Sequence, residues 1–414
     1  DAMNADAGMV SHAVTADGWP AAEFGYHGPD AGCPRYRVPG SGAQVWLLRT
    51  QASVLAALRS PVIRDLRAIT PAHALAGVTL QRPGGLLRLT SPQAEALRAV
   101  LNPIWRRAAC EPYRPVLRAL ATSRAAVLGT SEPVDLIRVF ITPYTRDLVL
   151  LAAGLHTPRQ AATLIRLSDR TTGALLHTPA DHPRVQAAWQ ELYAFTAEAI
   201  NRARTPARRQ PGPPATGALT AAGLPAGPSL PAQSTAALEA AGLPPAGVHE
   251  AVTTIYNGIP TTAPALARIT AHLLSHPTIL AACQASPALA GPVTAEAIRY
   301  AAHFTFALPG CTREPVMLDG TTIPAGAAVL PVIHAAEHDP ARTAQPGRSA
   351  LPRPHRATLA WGAGTHACLG RHLATIALEE AIAALASTGL RPAPGPMPWQ
   401  PGTMPTPASL DVLP

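Results

Sequence analysis

The sequence predicts a mainly helical fold with a small β region, built as one domain over residues 1–414. Three observations lead to this prediction. Long segments repeat apolar residues at the period of an α-helix. Short strand-like runs occur near residue 40 and after residue 310. Apolar residues make up 47% of the 414 residues, which is enough for one large core.

The first half of the chain is expected to begin with a β-hairpin and to continue as helices. Residues 35–48 contain two strand-like runs around a Gly-containing turn. The helical pattern over 91–129 is punctuated by three prolines, namely Pro103, Pro112 and Pro115. Further helices are predicted at 133–154, 158–177 and 183–204.

The segment 205–247 is rich in Pro, Gly, Ala and Ser. We interpret it as a surface crossing with short helices, inside the single domain. The alternative is a linker between two domains. The linker is less favoured, because the motifs that follow this segment cannot form a site without the helices that precede it.

The second half is predicted to combine long helices with a few strands. One helix is expected over 248–276, with interruptions at Gly258, Pro260 and Pro264, and another over 293–307. Strands are predicted at Val316–Leu318, Thr322–Ile323 and Val329–Ile333, with a turn at Asp319–Gly320. A last helical pattern runs from Ala374 to Leu385.

Composition excludes several classes of protein. The five cysteines are scattered, odd in number and form no CxxC pair, which is typical of a reducing cytoplasm and not of a disulfide scaffold or zinc site. The first 20 residues have no apolar run, and no uncharged apolar stretch is long enough to span a membrane. We expect a cytoplasmic protein that binds neither membrane nor nucleic acid. The net charge of +8 reflects either compositional bias or a basic face for an acidic electron donor.

The most informative segment is 361–374, which reads Trp-Gly-Ala-Gly-Thr-His-Ala-Cys-Leu-Gly-Arg-His-Leu-Ala. It delivers Cys368 in a Gly-rich loop to the start of an apolar helix. The dipole and free N–H groups at a helix N-terminus are expected to lower the pKa of such a thiol and to suit a thiolate. The alternative is a structural cysteine in a Gly-rich turn.

This loop resembles the cysteine loop of the cytochrome P450 family, whose pattern is aromatic-Gly-x-Gly-x-His-x-Cys-x-Gly. Every fixed position is present, with Trp361 where Phe is commoner. The resemblance implies a cytochrome P450-like fold and a haem b whose iron is bound by the Cys368 thiolate. It also implies a set of cofactor-binding residues, namely Trp361, Gly362, His366, Leu369 and Gly370.

The resemblance implies partners for the haem propionates as well. Arg98 aligns with the family arginine that pairs with a propionate, and His366 keeps another common propionate contact. A further family arginine aligns with Gly310 and is missing, although Arg313 lies close in sequence.

The run Glu296-Ala-Ile-Arg299 matches the Glu-x-x-Arg signature of the family. A second match, Glu95-Ala-Leu-Arg98, is not followed by the other conserved segments of the family. The first match is followed by them, at 322–326, 339–340 and 346–348. Glu and Arg at i, i+3 share one helix face. The resemblance implies that Arg348 completes a buried structural network with Glu296 and Arg299, which needs all its partners. The alternative is an exposed ion pair.

The central helix departs from the family pattern Ala-Gly-x-(Glu/Asp)-Thr. The aligned run is Asn257-Gly258-Ile259-Pro260-Thr261-Thr262, so Pro260 stands where the acid is expected and Thr261 is kept. We treat Pro260, Thr261 and Thr262 as the candidate catalytic residues. Proline has no backbone N–H. We therefore expect the Tyr256 carbonyl to lack its helical partner because of Pro260, and the Pro260 carbonyl to lack its partner because of Pro264. The alternative is a helix that begins at Pro260.

The implied function is a haem-thiolate oxidase or monooxygenase that uses ferredoxin and ferredoxin reductase to oxidise a small organic or peptide substrate in specialised-metabolite biosynthesis. Substrate is expected on the side bounded by the loop 75–92, Ile255–Ala263 and Phe304–Pro309. The expected lining residues there are Ile255, Tyr256, Ile259, Phe304 and Leu308. Because the acid is missing, substrate-assisted or peroxide-driven turnover and radical cross-linking of aromatic groups without oxygen insertion are alternatives. A degenerate family member that acts as a partner protein and a haem-based gas sensor are the others.

Overall fold

The computed structural model describes residues 27, 31–37, 44–63, 91–129, 132–173, 183–204, 228–301, 304–307, 309–351, 353, 358–400 and 404–413. These residues are 63% helical with small sheets, which confirms the predicted fold class. Most of the predicted crossing, at 205–227, and the loop 75–90 lie outside the described residues. Among the described residues, no helix combines the length and the apolar character that a membrane span requires.

The α-helices of the described residues are labelled in chain order: α1 (Gln51–Arg59), α2 (Ser91–Trp105), α3 (Arg107–Cys110), α4 (Arg114–Ala125), α5 (Thr142–Ala153), α6 (Pro158–Gly173), α7 (Pro183–Arg204), α8 (Leu230–Ala240), α9 (Pro245–Gly258), α10 (Thr262–Leu274), α11 (Pro277–Ala285), α12 (Ala290–Ala301), α13 (Ile333–Glu337) and α14 (Arg371–Ala386). Pro103 lies inside α2 and does not end it, contrary to the prediction. Pro112 and Pro115 stand at the beginnings of the next helical turns, where the missing N–H costs nothing.

The strands are β1 (Arg35–Arg37), β2 (Gln44–Leu48), β3 (Val134–Asp135), β4 (Gly310–Cys311), β5 (Val316–Leu318), β6 (Thr321–Ile323), β7 (Ala328–Pro331), β8 (Arg391–Pro392), β9 (Trp399–Gln400), β10 (Thr406–Pro407) and β11 (Asp411–Leu413). The largest sheet has the order β1-β2-β7-β4, with β2 and β7 parallel and the other pairs antiparallel. The predicted hairpins β1–β2 and β5–β6 are both present. Asp319 and Gly320 have φ of 46° and 69°, as a tight hairpin turn requires.

Helix α14 forms the centre of the core and lies against α4, α11 and α12. Its apolar residues Ile376, Ala377 and Leu378 are fully buried, together with Ala381. A helix that is apolar on most of its faces is stable only when protein surrounds it. The same helix therefore supports the loop that precedes it, which contains Cys368.

The predicted helix 293–307 is wrong at both ends. Helix α12 begins at Ala290 and ends at Ala301. The backbone near Phe306 joins the sheet, because Phe306 bridges Val332 and the Ala307 N–H donates to the Pro331 carbonyl at 2.9 Å. The predicted strand 329–333 is also too long, because Ile333 already belongs to helix α13.

The central helix is broken as the sequence predicts. Helices α9 and α10 are joined by a 3₁₀ turn at Ile259–Thr261, and α9 begins at Pro245, so a helix that begins at Pro260 is excluded. The prediction that the Pro260 carbonyl is free is wrong, because the Thr262 N–H donates to it and also to the Ile259 carbonyl. The 3₁₀ turn thus takes up part of the hydrogen bonding that proline removes.

Glu296 and Arg299 pair inside the protein, but Arg348 is not their third partner. The Arg299 Nε donates to Glu296 Oε2 and its Nη2 to Oε1, both at 2.9 Å. Arg353 supplies the third charge, with Nε 2.8 Å from Glu296 Oε1. Arg348 is exposed, and it contributes its backbone carbonyl to Arg353. The path of the chain after α13 brings Arg353 to the carboxylate and leaves the Arg348 side chain in solvent.

A cluster of buried and partly buried histidines lies beside this network. The ring centroids of His272 and His276 are 4.1 Å apart, and those of His334 and His338 are 4.2 Å apart, with the two rings of each pair tilted. Tyr300 lies between the two pairs. Burial, with the positive charges nearby, lowers the pKa of His272 to about 3 and that of His338 to about 4. It also holds the pKa of His334 well below its usual range. The folded protein therefore keeps the rings of His272, His334 and His338 neutral at pH 7.

Removing the charged partners of Glu296 should separate the roles of the three arginines. We expect Arg299→Ala to lower the free energy of unfolding by about 3–5 kcal/mol, because it leaves a buried carboxylate without its bidentate partner. Arg353→Ala should cost about 2 kcal/mol, as for a lost charged hydrogen bond. Arg348→Ala is the matched control and should change stability by no more than about 0.5 kcal/mol. Urea unfolding followed by circular dichroism measures all three, and a larger loss in Arg348→Ala than in Arg353→Ala would contradict the assignment.

The histidine cluster predicts a loss of stability in acid. The unfolded state binds protons at the ordinary histidine pKa of 6.5, whereas the folded state binds them at much lower pH. Stability should therefore be complete above pH 6.5 and fall below it, by up to about 1.4 kcal/mol per pH unit for each histidine. Urea midpoints at about pH 7.5 and about pH 5 test this. The decline should be shallower in His338→Gln, and an equal decline in that variant would contradict a role for His338.

Candidate active site

A cavity of about 290 Å³ lies between the loop before α14 and the broken helix α9–α10. This is the size of a small ligand pocket. Most of its lining is apolar or aromatic, and among the described residues none of the lining side chains is Asp or Glu. The lining residues are Arg98, Trp105, Leu148, Trp189, Thr254, Ile255, Asn257, Gly258, Ile259, Thr261, Thr262, Ala265, Phe304, Trp361, His366, Ala367, Cys368, Leu369, Gly370, Leu373 and Ala374.

The loop that carries Cys368 has a fixed backbone. The Cys368 N–H donates to the Trp361 carbonyl at 2.7 Å, which closes the loop on itself. Gly364 has φ of 70°, and a Cβ there would lie 2.6 Å from the Leu58 carbonyl oxygen in α1. Glycine is required at this point for its backbone conformation and for the close approach to α1. Gly362, with φ of 68°, shapes the same loop but does not line the cavity, contrary to its expected contact with the cofactor.

The thiol of Cys368 faces the cavity. The residue keeps accessible surface, which lines the cavity, while the surrounding protein atoms desolvate the thiol. Burial raises the pKa of the Cys368 thiol, and the N–H groups of Gly370 and Arg371, together with the charge of Arg98, oppose this rise. The sequence predicts a lowered pKa. That prediction is wrong for the protein alone, because desolvation outweighs the helix N-terminus.

A chain of buried polar contacts connects the Glu296 network to this loop. Arg299 Nη1 donates to the Glu337 carbonyl at 3.0 Å. The Glu337 carboxylate, which is fully buried, accepts from the Leu359 N–H and from Thr358 Oγ1, and Arg342 balances its charge at 3.1 Å. Leu359 begins the turn that ends at Trp361. Sequence reasoning missed Glu337, because no local motif marks a buried acid whose partners are distant along the chain.

Two of the expected propionate partners line the cavity. Arg98, on α2, donates to the Ala367 carbonyl, and His366 lies in the cysteine loop itself. Gly310 cannot be replaced by the arginine of the family, since a Cβ there would lie 2.2 Å from the Ile63 carbonyl oxygen. Arg313 is exposed and does not line the cavity, so it does not take the place of that arginine.

These residues fit an iron porphyrin. A desolvated thiol lines a mainly apolar cavity, as a thiolate ligand of haem iron requires. Arg98 and His366 are groups that can bind the two carboxylates of such a cofactor. Iron would deprotonate the thiol and so offset the rise in its pKa.

The wall opposite Cys368 is formed by one face of the broken helix. Ile255, Ile259 and Thr262 line the cavity at helical spacing, and Phe304 lies beside them. Tyr256 does not line it, because its position on the helix turns the ring toward α5, where its hydroxyl donates to the Ala153 carbonyl at 3.0 Å. Leu308 is outside the described residues.

The three candidate catalytic residues have different surroundings. Thr261 and Thr262 line the cavity, and their hydroxyls donate to the carbonyls of Gly258 and Ile259 at 2.7 and 3.1 Å. Pro260 is buried and does not line the cavity, so its expected place among the catalytic side chains is wrong. Its effect is on the backbone, through the 3₁₀ turn.

Sequence reasoning missed several cavity residues, namely Trp105, Leu148, Trp189 and Thr254. The tryptophans and Leu148 come from helices that are far apart along the chain, and no local pattern marks them. Asn257 lies in the segment 255–263 that the sequence predicts beside the substrate, although it was not singled out there.

Comparisons with known proteins agree with this site. The family model for cytochrome P450 matches residues 291–387, which include Glu296 and Cys368. Cytochrome P450 monooxygenase PikC of Streptomyces venezuelae is 28% identical over 407 residues, which cover 96% of this chain and 91% of PikC. Cytochrome P450-SU2 of Streptomyces griseolus is 29% identical, and the match covers 83% of this chain and 80% of that protein. The solved structure of HinD with NMFT and NO superposes with a TM-score of 0.77 at 25% identity, and covers 95% of this chain and 97% of HinD. The chain is a member of the cytochrome P450 family and a P450-type oxidoreductase.

Proposed function

We propose that the protein is a haem b monooxygenase that oxidises a largely apolar small molecule or peptide in specialised-metabolite biosynthesis. The observation that carries this proposal is the Cys368 thiol, which lines a mainly apolar cavity across from the broken central helix. When bound, a thiolate-ligated haem supplies the reductive activation of O2, in which one oxygen atom enters the substrate and the other leaves as water. The b-type, non-covalent attachment is supported by the absence of any CxxC pair in the sequence.

The side chains of the cavity bind, orient and exclude water. Arg98 and His366 hold the carboxylates of the cofactor on the side of the cysteine loop. Ile255, Ile259 and Phe304 give the substrate an apolar surface and keep water away from the reacting carbon. Specificity then depends on the few polar groups of the same wall.

Electron delivery is proposed to involve an acidic ferredoxin and its reductase. Arg106, Arg107 and Arg371 are exposed near the cysteine loop, and the positive charges of Arg371 and Arg107 both act on the neighbouring His372. A basic surface of this kind steers an acidic partner. All five cysteines are free thiols, which supports function in a reducing compartment.

A second function, radical coupling of aromatic groups without oxygen insertion, is favoured by one observation. No acid lines the cavity among the described residues, and the Thr261 hydroxyl donates to the Gly258 carbonyl. Both reactions take up two electrons and two protons for each O2 that is reduced to the level of water. Phenol-like aromatic groups carry acidic hydroxyls that can pass these protons on, so coupling of such groups depends less on an acid of the protein.

The ligand role of Cys368 is tested by the reduced carbon monoxide complex. We expect the wild type to show the red-shifted Soret band of a thiolate-bound haem, and Cys368→Ser to lose this band and all turnover. Cys311→Ser is the matched control, because Cys311 is buried in β4 and does not line the cavity. A thiolate band that persists in Cys368→Ser would overturn the proposed function.

The two proposed chemistries differ in their dependence on Thr261. In a monooxygenase, Thr261→Ala should raise the peroxide released per electron pair several-fold, because the alcohol that holds a proton near the reacting oxygen is gone. Thr261→Ser retains the hydroxyl and should restore coupling of electrons to product. Peroxide release and product identity are measured with a compound that shifts the Soret band of the wild type. Unchanged peroxide release in Thr261→Ala would favour radical coupling over oxygen insertion.

A further inference from the structure

Asn257 is a polar side chain on a wall that is otherwise mainly apolar. It lies on α9 between the apolar residues Ile255 and Ile259, lines the cavity and is only 9% exposed. A carboxamide at such a place is costly unless its polar atoms are hydrogen-bonded. The role of this side chain therefore depends on its partners.

Helix α6 holds Asn257 by two hydrogen bonds. The Thr171 Oγ1 donates to Asn257 Oδ1 at 2.7 Å, which is shorter than its distances of 2.9 and 3.1 Å to the Leu167 and Ser168 carbonyls of its own helix. The Ser168 Oγ donates to the Asn257 backbone carbonyl at 2.7 Å. Both hydroxyls are buried, so the backbone and the side-chain rotamer of Asn257 are fixed. The side-chain Nδ2 donates to no group among the described residues and keeps accessible surface. Because the residue is buried and lines the cavity, this surface opens on the cavity.

There is space beside this donor. Gly258, the next residue, is exposed to the cavity, and a Cβ placed there would have no heavy atom within 4 Å. Thr261 lies one helical turn after Asn257 on the same side of the helix. A group bound to Asn257 is thus close to the part of the wall where the proposed oxidation takes place.

We propose that Asn257 anchors the substrate by donating its side-chain N–H to a neutral acceptor oxygen, such as an amide, ester or ketone carbonyl. The amide nitrogen can only donate, so the partner must accept. A carboxylate would need a positive charge, and Arg98, the arginine among the described lining residues, lies on the opposite side, at the cysteine loop. This inference deepens the proposed function and rests on it.

The test uses the haem-loaded protein and a matched pair of probes, cyclododecanone and cyclododecane, with affinities measured by calorimetry. We expect the wild type to bind the ketone on the order of fivefold more tightly, which is the value of one neutral hydrogen bond. Asn257→Leu should remove this preference. Thr254→Val is the matched control and should keep it, because the Thr254 hydroxyl already donates to the Glu250 carbonyl at 3.0 Å.

Thr171→Val provides a second test if Asn257→Leu fails to fold. It leaves Asn257 in place but removes the hydroxyl that orients the amide, and it should reduce the ketone preference. The anchor is overturned by equal affinity for the two probes in the wild type, by no binding of either, or by an unchanged preference in Asn257→Leu or Thr171→Val. The carbon monoxide spectrum of the same preparations reports the proposed haem-thiolate function separately. A thiolate band without ketone preference rejects the anchor alone, and a missing band rejects the function.

Discussion

The thiol of Cys368 has to lie away from water and still occupy one fixed place, and much of the surrounding structure follows from these two requirements. Burial raises the pKa of the thiol, so the N–H groups of Gly370 and Arg371 and the charge of Arg98 have to make a thiolate tolerable once a metal binds. The loop is fixed from below by α1, whose backbone lies so close to Gly364 that no side chain fits between them. The buried helix α14 fixes it from the other end, because that helix has no exposed face along which to shift.

Apolar packing alone cannot hold such a loop, since its N–H and carbonyl groups also need partners. Glu337 supplies one of them and is itself held by Arg342 and, through its backbone carbonyl, by Arg299. Glu296 and Arg353 complete the set. Each buried charge in this network is balanced by another, so the loss of one leaves its partners uncompensated at a cost of several kcal/mol. The network that holds the cysteine loop in place therefore also stabilises the C-terminal half of the protein.

Features that depend on residues close together in sequence could be predicted. The cysteine loop, the Glu296–Arg299 pair at i, i+3 and the Asp319–Gly320 hairpin turn all have short, local causes, and the structure contains each of them. Features that depend on the path of the chain could not. Arg348 and Arg353 belong to the same Pro-rich segment, and only the tertiary path decides which one reaches Glu296. Likewise, the residues near Phe306 have a helical pattern, but their backbone pairs with the sheet, where Phe306 forms a β-bridge with Val332.

The wall opposite Cys368 shows how one proline changes the chemistry available to a site without touching it. Pro260 is behind the surface, yet it replaces one turn of α-helix by a 3₁₀ turn. In that turn the Thr261 hydroxyl donates its single proton to the Gly258 carbonyl, and it cannot donate to the cavity at the same time. Proton delivery from this wall therefore requires the hydroxyl to rotate away from the carbonyl. Asn257 cannot take over, because an amide binds acceptors but does not exchange protons at neutral pH. The wall can therefore hold a substrate more readily than it can supply protons. Reactions in which the substrate itself passes protons on depend least on this wall.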